Sequence, residues 1–193
     1  RVRSTVKFRK NPDSPVTDFF LHGENLNLLS AYINGVAVSP IMTDSGLTCD
    51  VPETPFIWQS EVEIDPSANT SLSGLYMSNG MFCTQCEAEG FRRITYYPDR
   101  PDVMAPFDVT IHSDLPYALS NGEPLGREGD TSRWQDPWPK PAYLFALVGG
   151  TFEIFSDHFT TASGKPVDLN IYVRDGDQDK CAFAMKALKI SMA

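Results

Sequence analysis

Long apolar runs are missing from this sequence: no stretch of about 18 or more apolar residues occurs, so no helix in it can span a bilayer. No apolar signal-peptide core lies near its start either. Basic residues are too few for a phosphate-tracking protein, with 16 Lys plus Arg against 25 Asp plus Glu and a net charge of -9. Nucleic acid is therefore not an expected partner. Four cysteines in 193 residues are too thin for a disulfide-stapled secreted scaffold, which points to a reducing compartment and a cytoplasmic location. Also missing are HExxH, the G-x-S-x-G elbow and the Walker phosphate loop. The three histidines, His22, His112 and His158, lie far apart, so no zinc site and no nucleophilic triad is visible.

What is present alternates with period two. Val2, Ser4, Val6 and Phe8 oppose Arg3, Thr5, Lys7 and Arg9, and the same pattern recurs through Phe56–Ile64, Phe107–His112 and Val167–Arg174. Such alternation marks half-buried strands, and the apolar run Tyr143–Val148 reads as a strand covered on both faces. Asn34-Gly35, Asn79-Gly80, Asn121-Gly122 and Asp175-Gly176 supply residues that tolerate positive φ in tight turns. Fifteen prolines suit an irregular all-β fold better than a helical one. Only residues from about 177 to 193 read as helix, with Cys181, Met185, Leu188 and Met192 on one face and Asp177 and Asp179 near its positive end. The expected architecture is a mainly β, antiparallel sandwich-like domain over residues 1–193 with a short C-terminal helix. Because the chain opens on Arg1 and the helix has no stop signal, a longer natural polypeptide is expected.

Three features invite chemistry. Cys83-Thr-Gln-Cys86 is a CxxC, but without an α/β context or a second ligand pair it reads as two packing residues. Asn69-Thr70-Ser71 fits the glycosylation acceptor pattern, which matters only on export. Glu87-Ala-Glu89 places carboxylates beside cysteines, a glycine and aromatics, a setting suited to receiving a cation.

The segment CTQCEAEGFRRITYYPDRPDV (Cys83–Val103), together with GLY (Gly74–Tyr76), LSNG (Leu119–Gly122) and WQDPWPKPAYLFALVGG (Trp134–Gly150), resembles the N-terminal domain of the bacterial aminopeptidase N family, zinc-dependent aminopeptidases of the gluzincin clan. The resemblance implies a saddle-shaped β domain that packs against its own C-terminal catalytic domain and closes one side of the active site. It implies that zinc and the catalytic residues, HExxH and the GAMEN segment, belong to that absent domain, so this fragment holds neither metal ligands nor catalytic groups and is inactive alone. It also implies that Gln85 and Glu87 reach into the first subsite for peptide substrates, with Glu87 gripping the α-ammonium and Gln85 adding a polar contact. Glu89 carries no role in that reading. Pro98-Asp99-Arg100-Pro101-Asp102 is expected to be a rigid turn tied by Arg and Asp hydrogen bonds. Two alternatives stay open at this level: a stand-alone β-sandwich that binds protein or carbohydrate, and a CxxC redox module.

Overall fold

The computed structural model describes residues 1–13 and 18–193. Its strands, in chain order, are β1 (Val2–Phe8), β2 (Phe20–His22), β3 (Asn27–Ile33), β4 (Val36–Ala37), β5 (Ile41–Thr43), β6 (Gly46–Thr48), β7 (Phe56–Glu63) and β8 (Gly74–Ser78). They continue as β9 (Met81–Gln85), β10 (Met104–His112), β11 (Tyr117–Ser120), β12 (Glu123–Glu128), β13 (Thr131–Pro141), β14 (Leu147–Gly150), β15 (Glu153–Thr160) and β16 (Pro166–Val173), before an α-helix, α1 (Cys181–Met192). Every pairing among the described residues is antiparallel, in the orders β1-β7-β3-β4, β2-β6-β5, β11-β14-β9-β8, β10-β13-β12 and β15-β16. The mainly β, antiparallel class with one short terminal helix is the one the sequence pattern calls for.

Among the described residues two clusters of buried side chains pack against strands of four of these sheets, β15-β16 standing outside them. One surrounds Trp58 and gathers Leu21, Ile33, Leu47, Phe56 and Val62 from β2, β3, β6 and β7. Full burial of each large side chain contributes about 1.5–3 kcal/mol. The other lies under residues 86–97 and joins Cys86, Phe91, Ile94, Tyr97 and Ala142. Phe91 meets Tyr97, Phe107 and Phe145 edge-on, with ring centroids 5.1, 5.8 and 5.1 Å away, the geometry aromatic quadrupoles favour. Tyr96 belongs to the first cluster and its neighbour Tyr97 to the second, so one extended step ties the two cores. His22 and Tyr97 exchange backbone hydrogen bonds of 2.9 and 3.1 Å at the same place.

Some local expectations need correction. Tyr143–Val148 is not one strand: Ala142–Leu144 form a 3-10 turn entered from Pro141, and β14 starts only at Leu147. A helix from about 177 also begins too early. Gln178–Lys180 form a 3-10 turn, with Asp177 bound to Lys180, and α1 itself has no acidic residue in its first turn. On its expected apolar face Cys181 and Met185 are buried, whereas Leu188 is exposed. Asn121-Gly122 joins β11 to β12, which lie in different sheets, and Asp175-Gly176 leads from β16 into the 3-10 turn, and both glycines take the positive φ expected of them, 88° and 79°.

Candidate functional site

The Gln85–Glu87 segment leaves the end of a strand fixed on both edges. Asn79 and Gly80 take φ values of 50° and 79°, the left-handed pair that a two-residue hairpin requires, and they set β8 against β9 in the register Ser78↔Met81 to Gly74↔Gln85. On the other edge β9 meets β14 at Cys83↔Val148. There Thr84 Oγ1 accepts a hydrogen bond from Leu147 N at 2.8 Å. Beyond Gln85 the Cys86 side chain turns inward and is only 3% exposed. Gly90 N then donates to Cys86 O at 2.7 Å and closes the turn. A Cβ on Gly90 would lie 2.2 Å from Gln85 O and 2.9 Å from Cys86 Cα, so no other residue fits without moving the backbone. The Glu87–Ala88 peptide inside the turn is cis.

The structure brings Gln85 and Glu87 together at the tip of this turn, and both are exposed. Gln85 Nε2 donates to the backbone O of Glu87 at 3.0 Å, and the Glu87 carboxylate has no hydrogen bond or ion pair among the described residues. Glu89 differs: its Oε1 lies 3.4 Å from Arg92 Nη2. Arg92 is itself buried, 8% exposed, against the 3% exposed Asp99. Its backbone N and its Nε both donate to Asp99 Oδ2 at 3.1 Å, and its Nη2 donates to Asp99 O at 3.0 Å. Next to it, Arg93 Nη2 pairs with Glu24 Oε2 at 2.9 Å and its Nη1 donates to Ser71 Oγ at 3.1 Å. A desolvated, multiply bonded guanidinium of this kind is a fixed cation. The Arg92–Asp99 pair escapes sequence reasoning, although two adjacent arginines inside the apolar run Gly90-Phe91-Arg92-Arg93-Ile94 are a usable signal for a buried partner.

Other candidates resolve into structural roles. Cys83 lies on β9 and Cys86 in the turn, both as free thiols, and burial followed by the charge of Asp99 pushes the Cys86 thiol up to about 12. Neither opens a helix, so the redox-module context is not met. Asn69 ties its loop to the start of β8, its amide donating to Ser73 O and Leu75 O at 2.8 and 2.9 Å. In the Pro-bounded turn Arg100 grips Asp102 through two bonds of 2.9 and 2.6 Å, while Asp99 faces inward to Arg92. Burial, and then Arg92, lower the pKa of His22 and favour its neutral ring. Among the described residues no three His, Cys, Asp or Glu side chains converge as metal ligands, so the donors present do not fit a zinc ion.

The Glu87 carboxylate is thus exposed on a five-residue turn, closed from Gly90 N to Cys86 O, within an antiparallel β domain. The chain belongs to the Peptidase M1 N-terminal domain family, which it matches over residues 2–144. Aminopeptidase N of Caulobacter vibrioides and that of Escherichia coli are each 47% identical to it over 182 residues, covering 89% of this chain and 21% of either protein. Aminopeptidase N of Haemophilus influenzae is 40% identical over 206 residues, or 99% of this chain and 23% of that protein. Legionella pneumophila aminopeptidase A, solved in complex with aspartic acid, superposes with a TM-score of 0.90 at 33% identity, over 98% of this chain and 24% of that one. A two-domain M1 zinc metallopeptidase bound to L-arginine shares the fold at 19% identity, with a TM-score of 0.69 over 90% of this chain and 43% of that one. The chain thus spans about a fifth of the length of the curated relatives it matches. Among the described residues no helix is long and apolar enough to cross a membrane.

Proposed function

We propose that this chain, as one unit over residues 1–193, is the N-terminal domain of a zinc aminopeptidase that releases N-terminal amino acids from peptides. In this reading it packs against its own C-terminal catalytic domain, which holds the zinc, and contributes Gln85 and Glu87 to the first substrate subsite. The observation that carries it is the Glu87 carboxylate, exposed and without a partner on a turn mounted in the second core. A peptide cut only at its first residue is measured from its free amine, and a carboxylate is the charge-assisted acceptor for an ammonium. With a Glu of the GAMEN segment, as the resemblance implies, Glu87 grips that ammonium while Gln85 lines the same subsite. Family membership leaves the stand-alone binding module without an observation in its favour.

The test is kinetic, in the full-length enzyme. Removing one partner of a desolvated charge pair costs ~2–5 kcal/mol, so Glu87→Ala lowers kcat/KM for an aminoacyl substrate by at least roughly tenfold with zinc content unchanged. Glu89→Ala, whose carboxylate already has Arg92, does far less. Wild-type kinetics for Glu87→Ala removes the proposed amine acceptor.

A further inference from the structure

The turn bearing Glu87 is fixed at both ends, and between them two side-chain contacts hold it among the described residues. One is the Gln85 amide on Glu87 O; the other is the Glu89 carboxylate on Arg92, 3.4 Å away. An exposed ion pair is normally weak, because both long side chains must be held still. Here one partner is already still. Arg92 is fixed by three bonds to the buried Asp99; its Nη2, which already donates to Asp99 O, also meets Glu89, and its Nη1 lies 4.0 Å from Glu24. Holding Glu89 therefore costs the freedom of Glu89 alone.

We propose that Arg92, locked by Asp99, is a positioning residue for amine recognition: through Glu89 it fixes the turn on the far side of Glu87 and leaves Glu87 as the one unneutralised carboxylate of the turn. The inference rests on the reading of Glu87 as the amine acceptor. Its physical content is twofold. Fixing Glu89 narrows the arc the Glu87 carboxylate can sweep, and misplacement by ~1 Å can cost up to about a hundredfold in a catalytic site. Neutralising Glu89 also removes a competing acceptor two residues away, so the ammonium goes to Glu87. Without Arg92 the bond from Gly90 N to Cys86 O still closes the turn, but both effects are lost.

The experiment reads the amine's contribution to binding in the full-length enzyme, as the ratio of affinities for L-alanine hydroxamate and propionohydroxamate, which differ only by the amine. Glu87→Ala reduces this ratio by at least roughly tenfold. Arg92→Gln reduces it by about three- to tenfold while leaving propionohydroxamate affinity unchanged. The double variant Glu87→Ala/Arg92→Gln falls no lower than Glu87→Ala, because Arg92 acts through Glu87. A wild-type ratio in Arg92→Gln, or fully additive losses in the double variant, overturns the positioning role while the Glu87 reading stands. A wild-type ratio in Glu87→Ala sinks both. If Arg92→Gln does not fold, Glu89→Ala keeps the Arg92–Asp99 pair and cuts the same tie; a ratio lowered about two- to threefold supports the proposal, and an unchanged ratio overturns it.

Discussion

The Glu89 carboxylate is held by Arg92, whereas that of Glu87, two residues earlier, has no hydrogen bond or ion pair among the described residues. Sequence places both in one acidic cluster and distinguishes them only through a family resemblance, because what separates them is a cation that folding brings in from beyond the turn. Cys86 makes a similar point. The CxxC spacing permits redox chemistry, and only the inward turn of Cys86, with its thiol pushed up to about 12, shows a packing residue. At pH 8 a thiol with that pKa is ~0.01% thiolate, and the thiolate is the reactive species. In the native protein Cys86 should therefore escape iodoacetamide while half-buried Cys83 is modified first. Peptide mapping by mass spectrometry checks this, and equal labelling of the two cysteines, or a Cys83–Cys86 disulfide in unreduced protein, would reopen the redox reading.

Elements whose residues answer to one dominant local constraint were legible in the sequence. β1, β7 and β10 alternate cleanly, and β16 does so up to Ile171, because one face of each is packed, and Asn79-Gly80 closes its hairpin as its φ preferences dictate. The illegible elements answer to tertiary context. β13 runs through Pro137 and Pro139, which break the strand signal, yet Asp136 pairs with Lys140 and the ladder to β10 resumes at Lys140, opposite Ala105, after a register shift. In Tyr143–Val148, Leu144 and Ala146 point outward and Phe145 joins the aromatic cluster, so an apolar run became a turn followed by a strand. Two glycines separate element-level stability from the site. Gly80 has φ 79° and no atom within 4 Å of an added Cβ, so Gly80→Ala should cost only the backbone penalty of ~1–2 kcal/mol and leave kinetics unchanged. Gly90→Ala must displace Gln85 O and should lower kcat/KM together with thermal stability. Wild-type kinetics in a folded Gly90→Ala enzyme would show that the geometry of the turn does not matter to the reaction.

Across the whole molecule, the segment that presents Glu87 is continuous with the part that joins the two cores. Cys86, Phe91, Ile94 and Tyr97 build one core, Tyr96 enters the other, and the buried Arg92–Asp99 pair lies in the same stretch of chain, so the turn is anchored in the interior of the domain. An N-terminal β domain about a fifth the length of its relatives is in this account the part of the enzyme that measures the substrate's amine. The most direct measurement is a crystal structure of the full-length protein with a bound amino acid. The account predicts the α-ammonium nitrogen ~2.7–2.9 Å from a Glu87 carboxylate oxygen, with Glu89 still on Arg92. An ammonium held wholly by residues of the catalytic domain, with the Glu87 carboxylate turned to solvent, would contradict it.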